Sequence, residues 1–312
     1  MRGFDLVALG EVALDLILAG VDKVPRRWSE LGRVKAAGIF AAGSAGYVAQ
    51  CFSKLGGRAS IVGRIGDDTP GRITIEGFRQ CGVSTRDLVV DKKVETEVST
   101  VIVYNDGNKS SVLSQVPPLG LDKLDINCLG GAKALHIGAY LVLPDLWGKS
   151  TLRWMKYAKS EGTLVSVDPQ MSTTGEWSKP FDRILEHIDI LLLDEVEAKR
   201  ISRRRHVIDA IEKLASKGCL TVAVKAGRKG CIIGRNGRIH SVKPFRTEPI
   251  STIGAGDAFD AAFIHGSLQG WSIDRIGRFS NVVAALSMTK LGCMTAIPKA
   301  SIAERIAKSY YR

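Results

Sequence analysis

Two rhythms of apolar residues divide this chain. From residue 133 onward, continuous apolar runs at 134–137, 163–167, 190–193 and 220–224 alternate with helical segments near 147–161, 195–202 and 207–217. That order predicts βαβ units, a mostly parallel sheet and hence an α/β fold. Earlier, residues 5–10 read as a short buried strand ending at Gly10, 42–55 as a helix and 59–63 as another strand. Gly66-Asp67-Asp68-Thr69-Pro70-Gly71 opens a further helix, with Pro70 near its first position. Asp67 and Asp68 read either as a cap and its neighbour or as a metal pair. The second rhythm is extended. Residues 97–103 and 110–116 predict a hairpin around Asn105-Asp106-Gly107-Asn108. Residues 16–40, broken by Gly20, Pro25 and Gly32, suit small strands and turns.

Composition narrows the classes. The 312 residues are 45% hydrophobic, enough for a sizeable core. No apolar run reaches the ~18 residues of a membrane span. The N-terminus lacks a signal-peptide shape, since Asp5 and Glu11 interrupt it. The six cysteines make no Cys-x-x-Cys pair and no zinc spacing, and read as reduced, buried thiols of a cytoplasmic protein. The formal charge is +12, densest at residues 199–206. Without interleaved aromatics or a binding motif, that cluster reads as a solvated helix end and not as a nucleic-acid site.

Chemistry concentrates at Ser251-Thr252-Ile253-Gly254-Ala255-Gly256-Asp257. Ala255, Ala258, Phe259, Ala262 and Phe263 recur at helical steps, so Gly254 to Gly256 lie where a loop becomes a helix N-terminus. Amides there lack intrahelical partners and face the positive end of the dipole. Small residues let an anion approach closely, with Asp257 in the first turn as a potential general base. An alternative is a tight turn with Asp257 as a capping carboxylate.

This stretch resembles the C-terminal signature of the ribokinase-like (PfkB) carbohydrate kinases, usually Asp-Thr-x-Gly-Ala-Gly-Asp, with Ser251 in place of the first Asp. The resemblance implies a three-layer α/β fold with a mostly parallel central sheet and a small β-sheet lid over the acceptor, here residues of about 16–40 and 97–116, within one domain, 1–312. It implies that the Gly254, Ala255 and Gly256 amides form an anion hole and that Asp257 takes the acceptor proton. It carries further positions. Asp15 falls at the acidic end of the family's Gly-x-x-x-x-Asp, which closes the first strand, and would hold acceptor hydroxyls; Asp15, Asp168, Asp194, Lys225 and the Gly254 loop are all expected just past strand ends. Gly43 and Tyr47 fall in the family's Gly-Gly-x-x-x-Asn, where Ala42 replaces the first Gly and Tyr47 the Asn. Asp168 in Asp168-Pro169-Gln170 resembles the Asp-Pro-Asn segment. Asp194 and Glu197 match the Asn-x-x-Glu that organises Mg²⁺, with Asp for Asn; the alternative is a helix-start acidic pair. Lys225 and Gly227 match a nucleotide segment, and Asn281 an adenine-side helix position, unless it is a solvated helix Asn.

The expected activity is Mg²⁺-dependent transfer of the ATP γ-phosphate to a hydroxyl of a small sugar, polyol or related acceptor, in a homodimer joined through the lid, with no nucleic-acid or membrane partner. Many family members bind a monovalent cation through the carboxylate that Ser251 replaces, so dependence on such a cation is expected to be weak. The rivals are a nucleoside kinase of the same fold, with Tyr47 stacking on the base, and a nucleotide-binding regulator without turnover. An NAD-dependent dehydrogenase is set aside, because no Gly-x-Gly-x-x-Gly follows the first strand.

Overall fold

The strand-length apolar runs assemble into one large sheet. The computed structural model describes residues 3–25, 27–105 and 109–311. Its strands are β1 (Leu6–Gly10), β2 (Ala13–Val21), β3 (Ala36–Ala42), β4 (Ala59–Gly66), β5 (Leu88–Asp91), β6 (Glu97–Tyr104), β7 (Lys109–Leu113), β8 (Ala134–Gly138), β9 (Leu164–Val167), β10 (Ile190–Asp194), β11 (Thr221–Lys225), β12 (Cys231–Arg235) and β13 (Arg238–Val242). Its α-helices are α1 (Ser44–Lys54), α2 (Thr69–Gln80), α3 (Lys149–Ser160), α4 (Glu195–Ser202), α5 (Val207–Ala215), α6 (Ala255–Leu268), α7 (Ile273–Ser287) and α8 (Ala300–Tyr310).

Nine strands pair in the order β13-β12-β11-β10-β9-β8-β1-β4-β5. All neighbours are parallel except β11/β12 and β12/β13. Successive residues serve opposite faces, as strand geometry requires. Val7 and Leu9 join the core under α3, α4 and α5, whereas Leu6 and Ala8 join the core under α1, α6 and α7. A sheet covered on both faces needs continuous apolar strands, which explains why those runs were so legible. Chain order reverses at β1, flanked by β8 on one side and β4 on the other. Ligands of open α/β sheets lie beyond the carboxyl ends of strands at such a point.

A second sheet has the order β3-β2-β6-β7 and draws strands from both extended regions. Its inner face carries Ile17, Ala19, Val101 and Val103, packed with Phe40, Ile253 and Leu291. Residues 106–108, the centre of the expected hairpin turn, lie outside the described residues. The flanking strands do pair antiparallel, with the second ending at Leu113 rather than at residue 116.

Asp68 caps α2, accepting a 2.7 Å bond from the Gly71 amide, with Pro70 in the first turn. The basic cluster ends α4, where Arg203 adopts a left-handed conformation. All six cysteines are free. Among the described residues no helix is long and apolar enough to cross a membrane.

Candidate functional site

The site is organised by the first turns of two helices, α6 and α1. Gly254 is the N-cap of α6 at φ 72°, and a Cβ there would lie 2.7 Å from the Cys293 sulfur, so only glycine fits. Among the described residues, the Gly256 and Asp257 amides take no acceptor from the chain, whereas the Ala255 amide, expected in the anion hole, donates to the Thr252 carbonyl at 3.4 Å. Asp257 itself is buried, and its Oδ1 accepts a 2.8 Å bond from the Ser44 hydroxyl. Burial, then the negative charge of Asp168, push its pKa up to about 7, against the pull of Lys225 and the Ser44 bond. A carboxylate poised near neutrality beside unfilled amides can take a proton and hold an anion at adjacent points.

Helix α1 begins against the backbone of residues 11 and 12. A Cβ on Gly43, at φ 87°, would sit 2.4 Å from the Glu11 carbonyl oxygen. That contact aims the Ser44 amide at Glu11 Oε2, 3.0 Å away. Ser44 therefore links Glu11 to Asp257. One turn on, the Tyr47 hydroxyl donates to Asp15 Oδ2 at 2.5 Å. Tyr47 is 5% exposed, so it offers no open ring face. Burial lifts Asp15 to about 6 against the bonds from Tyr47 and Ser99, and Glu11 to about 7 against the Ser44 amide.

Lys225 ends β11, but its ammonium is not free for a phosphate. It bonds Asp168 at 2.6 Å and both oxygens of Asp260 at 3.1 and 3.2 Å. Burial opposes these charges, yet the pairing wins: Lys225 is held well above its ordinary range and Asp168 below its own. The ammonium still borders the unfilled amides of α6, 3.6 Å from where a Cβ on Gly256 would stand.

Asp194 and Glu197 close a capping box on α4: Asp194 accepts from the Glu197 amide and Glu197 from the Asp194 amide, both at 2.7 Å. One oxygen of each carboxylate remains outside the box. Among the described residues, no group of three or more His, Cys, Asp or Glu side chains could by itself hold a metal ion. Gly227 opens an exposed turn between β11 and β12 at φ 54°. Asn281 is buried, and its amide donates to the Lys243 carbonyl at 2.9 Å, tying α7 to the end of β13. The solvated-Asn alternative therefore fails.

Two expected placements need correction. Asp15 does not follow the first strand; β1 stops at Gly10, and Asp15 is the third residue of β2 in the second sheet. The Gly254 loop does not follow a strand end directly either, since residues 243–253 separate it from β13. Asp168, Asp194 and Lys225 do stand at the carboxyl ends of β9, β10 and β11. Sequence reasoning passed over Glu11, Ser44, Glu97 and Asp260. Asp260 had a signal, one helical turn after Asp257 on the same face. Ser44 lies between Gly43 and Tyr47, and Glu11 between Gly10 and Asp15, at positions that the family patterns leave open.

The profile of the pfkB family carbohydrate kinases matches residues 4–300. The chain belongs to this family. A pfkB kinase is a phosphotransferase with an alcohol group as acceptor. This pfkB kinase is 30% identical, over 80% of its chain and 98% of the relative's, to an uncharacterized sugar kinase of Archaeoglobus fulgidus. It is 26% identical to a probable fructokinase-3 of Arabidopsis thaliana, over 94% and 88% of the two chains. Its fold is that of a putative ribokinase II from E. coli solved with ATP and Mg²⁺, with a TM-score of 0.86, 21% identity, and 99% and 100% of the chains covered.

Proposed function

We propose that this kinase transfers the γ-phosphate of ATP to a hydroxyl of a small sugar, polyol or related acceptor, with Asp257 as general base and the Gly254–Gly256 amides as anion hole. One observation carries the reading: a buried carboxylate brought to about 7 stands at the helix end whose Gly256 and Asp257 amides are unfilled. The acceptor hydroxyl lies against Asp257 Oδ2, since Ser44 occupies the other oxygen. Asp257 takes its proton as the oxygen attacks. The α6 amides receive the charge on the transferred group.

The E. coli neighbour is described with ATP and Mg²⁺, and the donors here fit that ion. Asp194 and Glu197 would hold it through the oxygens that the capping box leaves free, where it would neutralise phosphate charge. Burial and then Asp168 raise Glu197 to about 8, a state that a nearby cation relieves. The nucleoside alternative rested on Tyr47 stacking on a base; a buried Tyr47 bonded to Asp15 speaks against it. The ready amides and base speak against a silent regulator.

The second sheet serves as the lid. Its outer face exposes Ile39 and Val112 at 55% and 67%, in register with Leu16 and Thr100 between them, which suits pairing with a second copy.

Asp257→Asn tests the mechanism. Turnover should fall roughly 10²–10⁴-fold, the span of a positioned general base. ATP affinity should hold, because the amide cradle is unchanged. Wild-type kcat/KM should rise with pH up to about 7 as Asp257 ionises, and the variant should lose that rise. Near wild-type turnover in the variant removes Asp257 from the mechanism.

A further inference from the structure

Glu97 is the first residue of β6 and is 1% exposed. Neither carboxylate oxygen has a hydrogen-bond partner among the described residues. Glu97 pairs with Ala13, and the next pair on the same face is Asp15 with Ser99. Glu97 thus stands beside Asp15 on the inner face of the lid, and both Asp15 and Glu11 act on it by like-charge repulsion. Glu11 in turn reaches Asp257 through Ser44. Three acids besides the base therefore crowd the acceptor end.

Basic side chains do not answer them. Lys225 is held by Asp168 and Asp260. Arg64 lines the same small cleft as Glu11 but is bonded to Asp91 and to the Pro118 carbonyl. Lys109 on β7 faces the Asp257 side of the site, where the two charges interact, and not Glu97: it pairs in register with Val103, six residues along β6 from Glu97. At ~3.3 Å per residue that is roughly 20 Å of strand.

We propose, resting on the kinase reading of this site, that the acceptor is a hydroxyl compound bearing a cationic nitrogen, such as an amino sugar or amino polyol, whose ammonium pairs with Glu97 between Glu11 and Asp15. An anionic group placed at Glu97 would meet three carboxylates, with Lys225 and Arg64 already paired. A neutral hydroxyl donates one hydrogen and brings no charge, so the repulsion persists. An ammonium donates three hydrogens and cancels a charge, which satisfies an orphaned carboxylate and its neighbours together.

The test uses matched pairs: 2-amino-2-deoxyglucose with glucose, and 1-amino-1-deoxyfructose with fructose. ADP release is measured with wild type and Glu97→Gln, and binding without ATP by calorimetry. Wild type should favour at least one amine over its parent by roughly ten- to a hundredfold in kcat/KM, the span of one charge-assisted hydrogen bond. Glu97→Gln, nearly isosteric, should abolish that preference. Parent sugars phosphorylated as well as the amines, or a preference kept in Glu97→Gln, overturns the proposal and leaves the kinase reading intact. Amines that bind through Glu97 without any phosphoryl transfer support the cationic site and sink the kinase reading. Amines neither bound nor phosphorylated by wild type overturn the proposal without any variant.

Discussion

The two ends of this site solve the problem of buried charge in opposite ways. At the proposed phosphoryl end, two carboxylates, Asp168 and Asp260, share the ammonium of Lys225, and the Gly256 and Asp257 amides of α6 are unfilled. At the acceptor end, Glu11, Asp15 and Glu97 are buried with only neutral donors, and Glu97 with none among the described residues. At the first end the ammonium holds Asp168 ionised, while burial outweighs it at Asp260 and raises that carboxyl well above its ordinary value. The second is unbalanced, and its remedy is protonation or a ligand. Burial, followed by Glu11 and Asp15, raises Glu97 to about 9, whereas the shared ammonium holds Asp168 ionised. On the proposed reading, the contrast teaches that the half with its ammonium in place is set by the fold, and that acceptor identity is to be sought in the half without one.

Removing the ammonium is the harshest way to break the contrast. Lys225→Met leaves Asp168 and Asp260 uncompensated at 3% and 0% exposure. Breaking one partner out of a buried ion group costs about 3–5 kcal/mol, and here two carboxylates lose it. Chemical denaturation should show a loss of that size. A loss below about 1 kcal/mol would mean that the phosphoryl end is no better balanced than the acceptor end.

Next in size is Asp15→Ala. Losing charge-assisted bonds to acceptor hydroxyls costs roughly ten- to a hundredfold in acceptor KM. ATP binding should be unchanged, since Asp15 bonds Tyr47 and Ser99 and not the α6 amides. If ATP binding weakened and acceptor KM did not, the two ends would be assigned the wrong way round.

The phosphoryl end was legible in the sequence because it is local. Gly254, Gly256 and Asp257 fall within four residues, and the helical period that follows states where the amides lie. The parallel sheet was legible because its strands are apolar on both faces. The acceptor end depends on distant pairing. Only two residues separate β1 from β2, so Asp15 read as the close of the first strand instead of a lid residue. In β6, residues 98, 100 and 102 are as strand-like as 97, 99, 101 and 103, so only pairing with β2 decides that Glu97 turns inward. Tyr47 read as a ligand reader because its bond to Asp15 requires that same pairing. Asn281 was the polar exception on an apolar helix, and its partner carbonyl lies 38 residues earlier.

A milder contrast appears in stability against pH. Glu97, Glu11 and Asp257 are raised to about 9, 7 and 7 by burial first, from ordinary values of 4.5, 4.5 and 3.8. The folded chain therefore binds more protons than the unfolded chain between those values. Stability is highest below the unfolded values and falls as pH rises, until the folded values are passed. Melting temperature should decline from about pH 5 to about pH 9, and Glu97→Gln should flatten the upper part of that decline. An unchanged slope in the variant would show that Glu97 finds a partner in solution.

The smallest expected effect concerns monovalent cations at the junction of the two ends. Ser251 is 4% exposed, and its hydroxyl accepts a 3.4 Å bond from the Ile253 amide. It stands just ahead of the Gly254 loop, where the family's usual motif has a carboxylate. Hard cations are held by charged and carbonyl oxygens, and a serine hydroxyl supplies no charge. The loop has other means of support. The Ile250 and Ser251 amides both donate to the Met288 carbonyl, at 2.7 and 3.2 Å, and Cys293 donates to the Gly254 carbonyl at 3.1 Å. These bonds shape the approach to the α6 amides from within the chain, so an ion is not required to order them. Initial rates in potassium and in a bulky organic cation, at matched ionic strength and saturating Mg²⁺-ATP, should therefore agree within about twofold, under ~0.5 kcal/mol. Strong, saturable activation by potassium would show that carbonyl oxygens around Thr252 hold the ion unaided, and that the phosphoryl end too is completed by a bound cation.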